Sequence, residues 1–160
     1  MLGFATLAGM RSMSAPAFLS HYLARHPPAG LVGSPLRFLR KPLVGTALGV
    51  LAAGEMVADK LPGTPDRTAP PGLLGRLLSG ALVGAAWYRL RGGSAVAGGL
   101  LGGLVAVAAT FASYALRTGL SARADVSVAL VGVGEDALVL AGGAALLRGQ
   151  RPAPREWRPL

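Results

Sequence analysis

Long apolar stretches alternate with short polar connections along most of the chain. A bilayer core of about 30 Å requires roughly 20 apolar residues in a helix, and five stretches meet this requirement. The sequence therefore predicts an all-α, polytopic membrane bundle in residues 1–149, with a basic, Pro- and Arg-rich tail at 150–160. The five predicted spans are 2–24, 42–61, 72–88, 93–116 and 126–147.

Composition supports a lipid environment for this bundle rather than a nucleic-acid partner. Of the 160 residues, 52% are hydrophobic and 14% are charged, whereas soluble domains carry about a quarter charged residues. The net charge of +9 does not indicate nucleic-acid binding, because the basic residues fall between apolar runs and form no single stripe. Cysteine is absent, which excludes disulfides and thiolate sites. With only two histidines, we expect no metal site and no cofactor.

The basic residues between the spans predict an orientation. Cytoplasmic connections carry an excess of Lys and Arg, and the predicted spans place ten basic residues on one side and five on the other. We therefore expect a multi-pass protein of the bacterial plasma (inner) membrane, with its N-terminus outside and its C-terminus cytoplasmic. The basic residues include only two lysines, which favours a GC-rich bacterial source.

Glycine recurs at four-residue spacing in three predicted spans. This spacing places a groove on one helix face and lets two backbones approach closely. Ordinary helix packing is the simpler interpretation, and a gliding or dimerising surface is the alternative. Five thin helices enclose little volume, so a homo-oligomer, most simply a dimer, is expected. The glycines concerned are Gly45, Gly49, Gly80, Gly84, Gly98, Gly99, Gly102 and Gly103.

Four ionisable residues lie deep within the predicted spans: Arg11, Glu55, Glu135 and Asp136. Each costs at least about 2.5–3.5 kcal/mol at membrane depth and is expected to face the protein interior. Asp59 is four residues after Glu55 and therefore shares its helix face. One cation among three deep carboxylates predicts that a proton or a bound cation neutralises the excess negative charge.

Pro16 predicts a break in the first span. Its ring has no N–H to donate to the carbonyl of Ser12 and crowds that turn of the helix. We therefore expect a kink at Pro16 that leaves a free acceptor beside the hydroxyls of Ser12 and Ser14. Broken helices at membrane depth are tolerated where they are buried in protein or line a cavity, and transporters build binding sites from them.

Two segments are similar enough to indicate an internal repeat. Gly54-Glu55 in the second span corresponds to Gly134-Glu135 in the fifth. The units that contain them would enter the membrane in opposite senses. This pattern predicts an inverted-topology repeat whose halves meet around a central site.

Two motifs carry a family resemblance. They are Ala8-Gly9-Met10-Arg11-Ser12 followed by Pro16, and Gly54-Glu55-Met56-Val57-Ala58-Asp59-Lys60-Leu61-Pro62-Gly63 followed by Asp66. From about Leu2 to Leu147, the chain resembles a bacterial membrane family catalogued as domain of unknown function 4126. The resemblance implies a small multi-helix membrane protein and supplies no activity. It places Arg11, Glu55, Asp59, Lys60 and Pro62 on motif positions.

These features favour a transporter or channel for a small solute or ion. Arg11, Ser12, Ser14, Glu55, Asp59, Glu135 and Asp136 are the predicted binding residues. The alternative is a non-transporting scaffold or assembly factor in which the buried charges are structural. No nucleophile–base pair or metal set is evident, so the chain is not expected to be an enzyme and no catalytic residue is assigned.

Overall fold

The structure is a computed structural model that describes residues 1–59, 61, 68–124 and 128–149. Every regular element in these residues is helical, which confirms the all-α class. The predicted tail at 150–160 and the motif residues Lys60, Pro62 and Asp66 lie outside the described residues. The α-helices are α1 (Leu2–Met10), α2 (Ser14–Arg25), α3 (Pro42–Ala58), α4 (Pro70–Leu90), α5 (Ala95–Ala124) and α6 (Val128–Arg148).

Proline and glycine set several helix ends. Pro42 and Pro70 are the first residues of α3 and α4, positions where the missing N–H has no helical acceptor to lose. Gly92 closes α4 with a φ of +75°, a conformation that glycine adopts without steric cost. The Gly93 N–H then donates to the Tyr88 carbonyl at 2.8 Å. This C-terminal cap turns the chain into α5.

Within the part of the chain that the structure describes, two helices are long and apolar enough to cross a bilayer, at Ala95–Ser121 and Leu130–Arg148. They correspond to the fourth and fifth predicted spans. The second predicted span is the shorter apolar helix α3, which has 17 residues and ends at Ala58. The first is two helices, α1 and α2, of 9 and 12 residues. A five-span bundle is thus not confirmed by helix length and hydropathy.

The glycines of α4 and α5 bring these two helices into backbone contact. A Cβ on Gly84 or Gly98 would collide with the other residue's carbonyl oxygen, and Gly80 and Gly102 face each other in the same way. Gly45 faces α2, where an added Cβ would lie 3.4 Å from the His21 amide nitrogen without colliding. Gly49 has no described atom within 4 Å of its Cβ position. Most of the predicted packing glycines therefore act within the chain, and the dimer stays a prediction.

Adding one methyl group to α5 should distinguish its two glycine pairs. In Gly98→Ala the new Cβ meets the Gly84 carbonyl, whereas in Gly99→Ala it stands 3.6 Å from the Ala81 oxygen, an ordinary contact. We expect Gly98→Ala to lower the free energy of unfolding by about 1–3 kcal/mol through overpacking. Gly99→Ala should be neutral or stabilising by up to about 1 kcal/mol, because alanine favours a helix. Denaturation in detergent measures both, and equal losses would contradict the assigned packing.

The core gathers around α1, which packs against α4, α5 and α6. Phe4 is buried and its ring lies 5.7 Å from that of Trp87 on α4. Ala8 and Ala106 of α5 are both fully buried. The end of α1 is consequently held in the interior, and the chain leaves α1 for α2 among the other helices.

Candidate functional site

The first helix breaks at Arg11–Met13. The Arg11 backbone is extended, with φ −141° and ψ 113°, and α2 begins at Ser14. The kink was expected at Pro16, which instead lies in the first turn of α2, where a missing N–H costs no helical hydrogen bond. The Ser12 carbonyl, predicted to be left free by Pro16, accepts a hydrogen bond from Ser79 Oγ of α4.

Arg11 is 0% exposed and joins two aspartates from different helices. Its Nη1 lies 2.6 Å from Asp59 Oδ2 at the end of α3, and its Nη2 lies 2.6 Å from Asp136 Oδ1 of α6. Both aspartates are among the predicted binding residues, and they are the carboxylates to which Arg11 lies closest among the described residues. The contact with Asp59 is also a hydrogen bond, and such charge-assisted bonds are stronger than neutral ones.

Glu55 caps the break. Its Oε1 accepts hydrogen bonds from the Ser12 amide at 2.9 Å and the Ser12 hydroxyl at 3.0 Å, and its Oε2 accepts one from the Met13 amide at 2.9 Å. Arg76 Nη2 of α4 lies 3.6 Å from Oε1. The carboxylate thus satisfies amides just before α2 that have no helical acceptor, at an end where the helix dipole favours negative charge.

Arg117 of α5 lies between Glu135 and Asp59. Its Nη2 lies 3.5 Å from Glu135 Oε2 and 3.7 Å from Asp59 Oδ2. Asp59 is therefore shared between Arg11 and Arg117. These ion pairs form two groups, Arg11–Asp59–Asp136–Arg117–Glu135 and Arg76–Glu55, which α3 joins because Glu55 and Asp59 lie one turn apart. We call these seven largely buried residues the charge network.

Among the described residues, the charge network contains three arginines and four carboxylates. The sequence had placed one cation against three deep carboxylates, because Arg76 and Arg117 lie within a turn of predicted span ends and were assigned to the aqueous side. In the structure the side chains of Arg76 and Arg117 are 6% and 14% exposed. The sequence pattern that could have identified Arg76 and Arg117 is a single cation near the end of an apolar run. From such a position a long side chain can extend into the protein as well as out to water.

Thr110 holds the backbone that leads into the break. It is fully buried, and its hydroxyl contacts the Gly9 carbonyl of α1 at 3.0 Å and the Ala106 carbonyl of its own helix at 2.8 Å. A hydroxyl in an apolar helix has no distinctive sequence pattern. Neither Thr110 nor Ser79 was therefore predicted, although both position residues 9–12.

Every predicted binding residue except Ser14 makes a hydrogen bond or an ion pair within this site. Ser14 is 2% exposed and is the first residue of α2, but its Oγ has no hydrogen-bond partner among the described residues. The Arg11 Nε–H likewise lacks a described acceptor. Buried polar atoms of this kind are rare and require an explanation. Both residues flank the two amides that Glu55 caps.

No protein-family model matches the chain, and neither the curated proteins nor the solved structures include a match to it. The resemblance to domain of unknown function 4126 accordingly stays a prediction, and the geometry of the charge network is what bears on function.

Proposed function

We propose that the chain is a small integral membrane protein of about five spans that moves a small solute or ion past the charge network. The observation that carries this proposal is the convergence of seven ionisable side chains from the α1–α2 break, α3, α4, α5 and α6 on one interior location. Ionisable residues in apolar helices are costly, and they usually mark a pathway or a binding site.

The outer faces of the long helices support placement in a bilayer. Only 28% of the apolar window in α5 and in α6 is buried inside the protein, whereas a core helix of a soluble protein would be mostly covered. Large side chains on these faces would be costly in water but stable against acyl chains. Those more than 60% exposed include Leu100, Leu104, Leu116, Leu130 and Leu138.

The burial of Arg76 and Arg117 supports the predicted orientation. Both were counted among the five basic residues of the outer side, yet both contact carboxylates in the charge network. Without these two, three basic residues remain on the outer side against ten on the side assigned to the cytoplasm. The excess of basic residues on the cytoplasmic side is therefore larger.

The carboxylates of the network support transport. An ionised carboxylate in a low-dielectric interior is unfavourable unless a cation or a proton accompanies it. Carboxylates that are held among arginines in this way can take up and release a small positive species. Asp59, which two arginines share, links the carboxylates of α3 to those of α6.

Flux through reconstituted vesicles tests this function. Purified protein in vesicles should admit one of a panel of protons, monovalent cations or small anions faster than empty vesicles do. In Glu135→Gln the side chain keeps its shape but loses its charge opposite Arg117. Because this substitution removes one carboxylate from the proposed pathway, flux should fall by roughly tenfold or more, which corresponds to about 1.4 kcal/mol in the barrier.

Arg25→Gln is the matched control, because it removes an exposed charge at the end of α2. Its flux should equal that of the wild-type protein, and its melting temperature should be unchanged. Wild-type flux no faster than that of empty vesicles, for every solute in the panel, would contradict the transport proposal.

The saturation of Glu55 favours a second candidate, a membrane scaffold. Three hydrogen bonds and a nearby guanidinium hold this carboxylate, as expected of a group that fixes the helix arrangement. Under this alternative, Glu135→Gln and Glu55→Gln would lower the melting temperature in detergent, and no solute would cross the vesicle membrane.

A further inference from the structure

The chain reverses its direction at the break between α1 and α2. Leu7 precedes the break and Phe18 follows it, yet both contact the same turn of α6. A Cβ on Gly142 would lie 3.5 Å from Leu7 Cδ2, and a Cβ on Gly143 would collide with the Phe18 ring. In a continuous helix, residues 7 and 18 would be about 16 Å apart along the axis. The two helices therefore form a hairpin, and the break is its tip.

The contacts of α1 with α6 show that these two helices are antiparallel. A Cβ on Gly3 would lie 2.9 Å from Leu146 Cδ1, near the end of α6. At the other end of α1, the Arg11 guanidinium contacts Asp136, which is nearer the start of α6. If five spans crossed the bilayer in turn, the first and the fifth would run in the same direction. The start of α1 instead lies beside the end of α6.

The contacts of α2 with α3 show where the hairpin ends. In the second half of α2, Ser20 lies beside the first turn of α3, where a Cβ on Gly45 would be 3.4 Å from the Ser20 Oγ. At the tip, the Ser12 amide donates to Glu55 in the last turn of α3. The helix α2 therefore returns to the level at which α3 begins, while the tip lies at the level at which α3 ends.

The end of α4 lies at the same face of the bundle as the two ends of the hairpin. The Phe4 ring is 5.7 Å from the ring of Trp87. A Cβ on Gly30, between α2 and α3, would lie 3.1 Å from the Arg89 carbonyl oxygen. We call this face, formed by residues 1–3, 25–42, 89–95 and 146–149, the terminal face.

We propose that α1 and α2 form a re-entrant hairpin, which enters the bilayer from the terminal face, ends at the charge network and returns to the same face. The N-terminus then lies on the same side as the end of α6, not on the opposite side as five complete crossings predict. The helices α3, α4, α5 and α6 make four crossings. This inference rests on the membrane placement in the proposed function, but it does not rest on transport.

The tip meets the conditions for non-helical backbone inside a membrane. Such backbone is tolerated where it is buried in protein and its polar groups have partners. Glu55 accepts hydrogen bonds from the Ser12 and Met13 amides, and the Ser12 carbonyl accepts one from Ser79 Oγ. The two arms have 9 and 12 residues, fewer than the roughly 20 that a complete crossing requires. Each arm is therefore suited to reach partway into the bilayer.

The hairpin also determines the depth of the charge network. Glu55 lies in the last turn of α3 and Arg76 in the second turn of α4. At 1.5 Å per residue these positions are about 5 and 9 Å from the helix ends opposite the terminal face. Between the network and the terminal face lie buried side chains of the hairpin, such as Phe4, Leu19 and Leu23. For the proposed transport, the shorter path to the network is therefore from the opposite face.

The basic residues of the terminal face indicate which side of the membrane it occupies. Cytoplasmic connections carry an excess of Lys and Arg. The described basic residues at this face are Arg25, Arg37, Arg40, Lys41, Arg89, Arg91 and Arg148. We therefore expect the N-terminus and the end of α6 to be cytoplasmic together.

Single-cysteine labelling tests the hairpin, because the sequence contains no cysteine. The variants place one cysteine at an exposed position, in Leu2→Cys, His26→Cys, Arg148→Cys or Pro71→Cys. A membrane-impermeant maleimide is applied to right-side-out and to inverted vesicles from bacteria that express each full-length variant. The first three cysteines should react from the cytoplasmic side, whereas the cysteine at position 71, at the start of α4, should react from the other side.

Disulfide formation tests the same arrangement without reference to the side of the membrane. In the double variant Gly3→Cys/Leu146→Cys, oxidation with copper phenanthroline should link α1 to α6 within one chain, because the two side chains are in contact. The matched control is Gly3→Cys/Leu130→Cys, which places the second cysteine near the start of α6. It should not form the link.

Labelling of Leu2→Cys from the same side as Pro71→Cys would overturn the proposal, because α1 and α2 would then complete a crossing. A disulfide in the Leu130→Cys pair rather than in the Leu146→Cys pair would overturn it as well. Reaction of all three terminal-face cysteines from the outer side would support the hairpin and overturn only its cytoplasmic orientation.

The outcomes also separate the hairpin from the proposed function. Same-side labelling without flux would contradict only transport, whereas flux with Leu2→Cys labelled from the side of Pro71→Cys would contradict only the hairpin. Loss of the protein from the vesicles on alkaline washing would contradict the membrane placement on which both depend.

Discussion

Replacing Arg11 with methionine is expected to lower the free energy of unfolding by about 3–5 kcal/mol, the usual cost of breaking a buried ion pair by removing one partner. Methionine keeps the apolar stem of arginine and lacks the guanidinium, so the loss comes mainly from leaving the two aspartates without that cation. Asp59 and Asp136 would lose contacts of 2.6 Å. Equilibrium denaturation in detergent micelles measures the change.

Second-site variants separate charge from packing in this prediction. Neutralising both aspartates in the Arg11→Met background should recover part of the lost stability, because replacing all partners of a buried pair is far less costly than removing one. Arg25→Met, at an exposed position, should stay within about 0.5 kcal/mol of the wild-type protein. A loss for Arg11→Met no larger than that for Arg25→Met would show that the buried ion pairs do not stabilise the fold.

Gly9→Val should have the second-largest effect, because α1 crosses α5 with its backbone against that helix. A Cβ on Gly9 would collide with the Ala106 carbonyl oxygen, stand 2.6 Å from the Ala109 Cβ and lie 3.0 Å from the Thr110 amide nitrogen. Overpacking of this kind costs about 3 kcal/mol or more when the obstacle is backbone. Separation of the helices would also break the Thr110–Gly9 hydrogen bond, which adds about 1 kcal/mol.

Gly119→Val provides the matched control on α5, since no described atom lies within 4 Å of its Cβ position. Its melting temperature should remain near the wild-type value, because valine has a somewhat better helix propensity than glycine. Equal melting temperatures for the two valine variants would mean that α1 does not cross α5 at Gly9.

The fold class and most site residues were predictable because they depend on local pattern. Apolar runs without charge give α5 and α6, and isolated ionisable residues identify Arg11, Glu55 and the pair on α6. The position of the break was less predictable. Pro16 signals a helix interruption, but proline fits the first turn of a helix as well as a kink, so the same residue is compatible with a break several residues upstream.

The partners within the charge network could not be predicted because they depend on tertiary contacts. Arg76 and Arg117 are long side chains near helix ends, and the sequence does not determine whether they extend outward to headgroups or inward to carboxylates. Likewise, Glu55 and Glu135 match in sequence, yet one caps backbone amides and the other faces a guanidinium. Their different surroundings leave the inverted repeat a prediction.

The break between α1 and α2 has a consequence for biosynthesis. At 1.5 Å per residue these helices are about 14 and 18 Å long, too short for either to cross a bilayer core alone. When only they have emerged from the ribosome, the Ser12 and Met13 amides have no carboxylate to accept their hydrogen bonds. Glu55 arrives some forty residues later, on α3. The N-terminal segment is therefore expected to reach its stable depth together with α3, so that α1, α2 and α3 enter the membrane as a single unit.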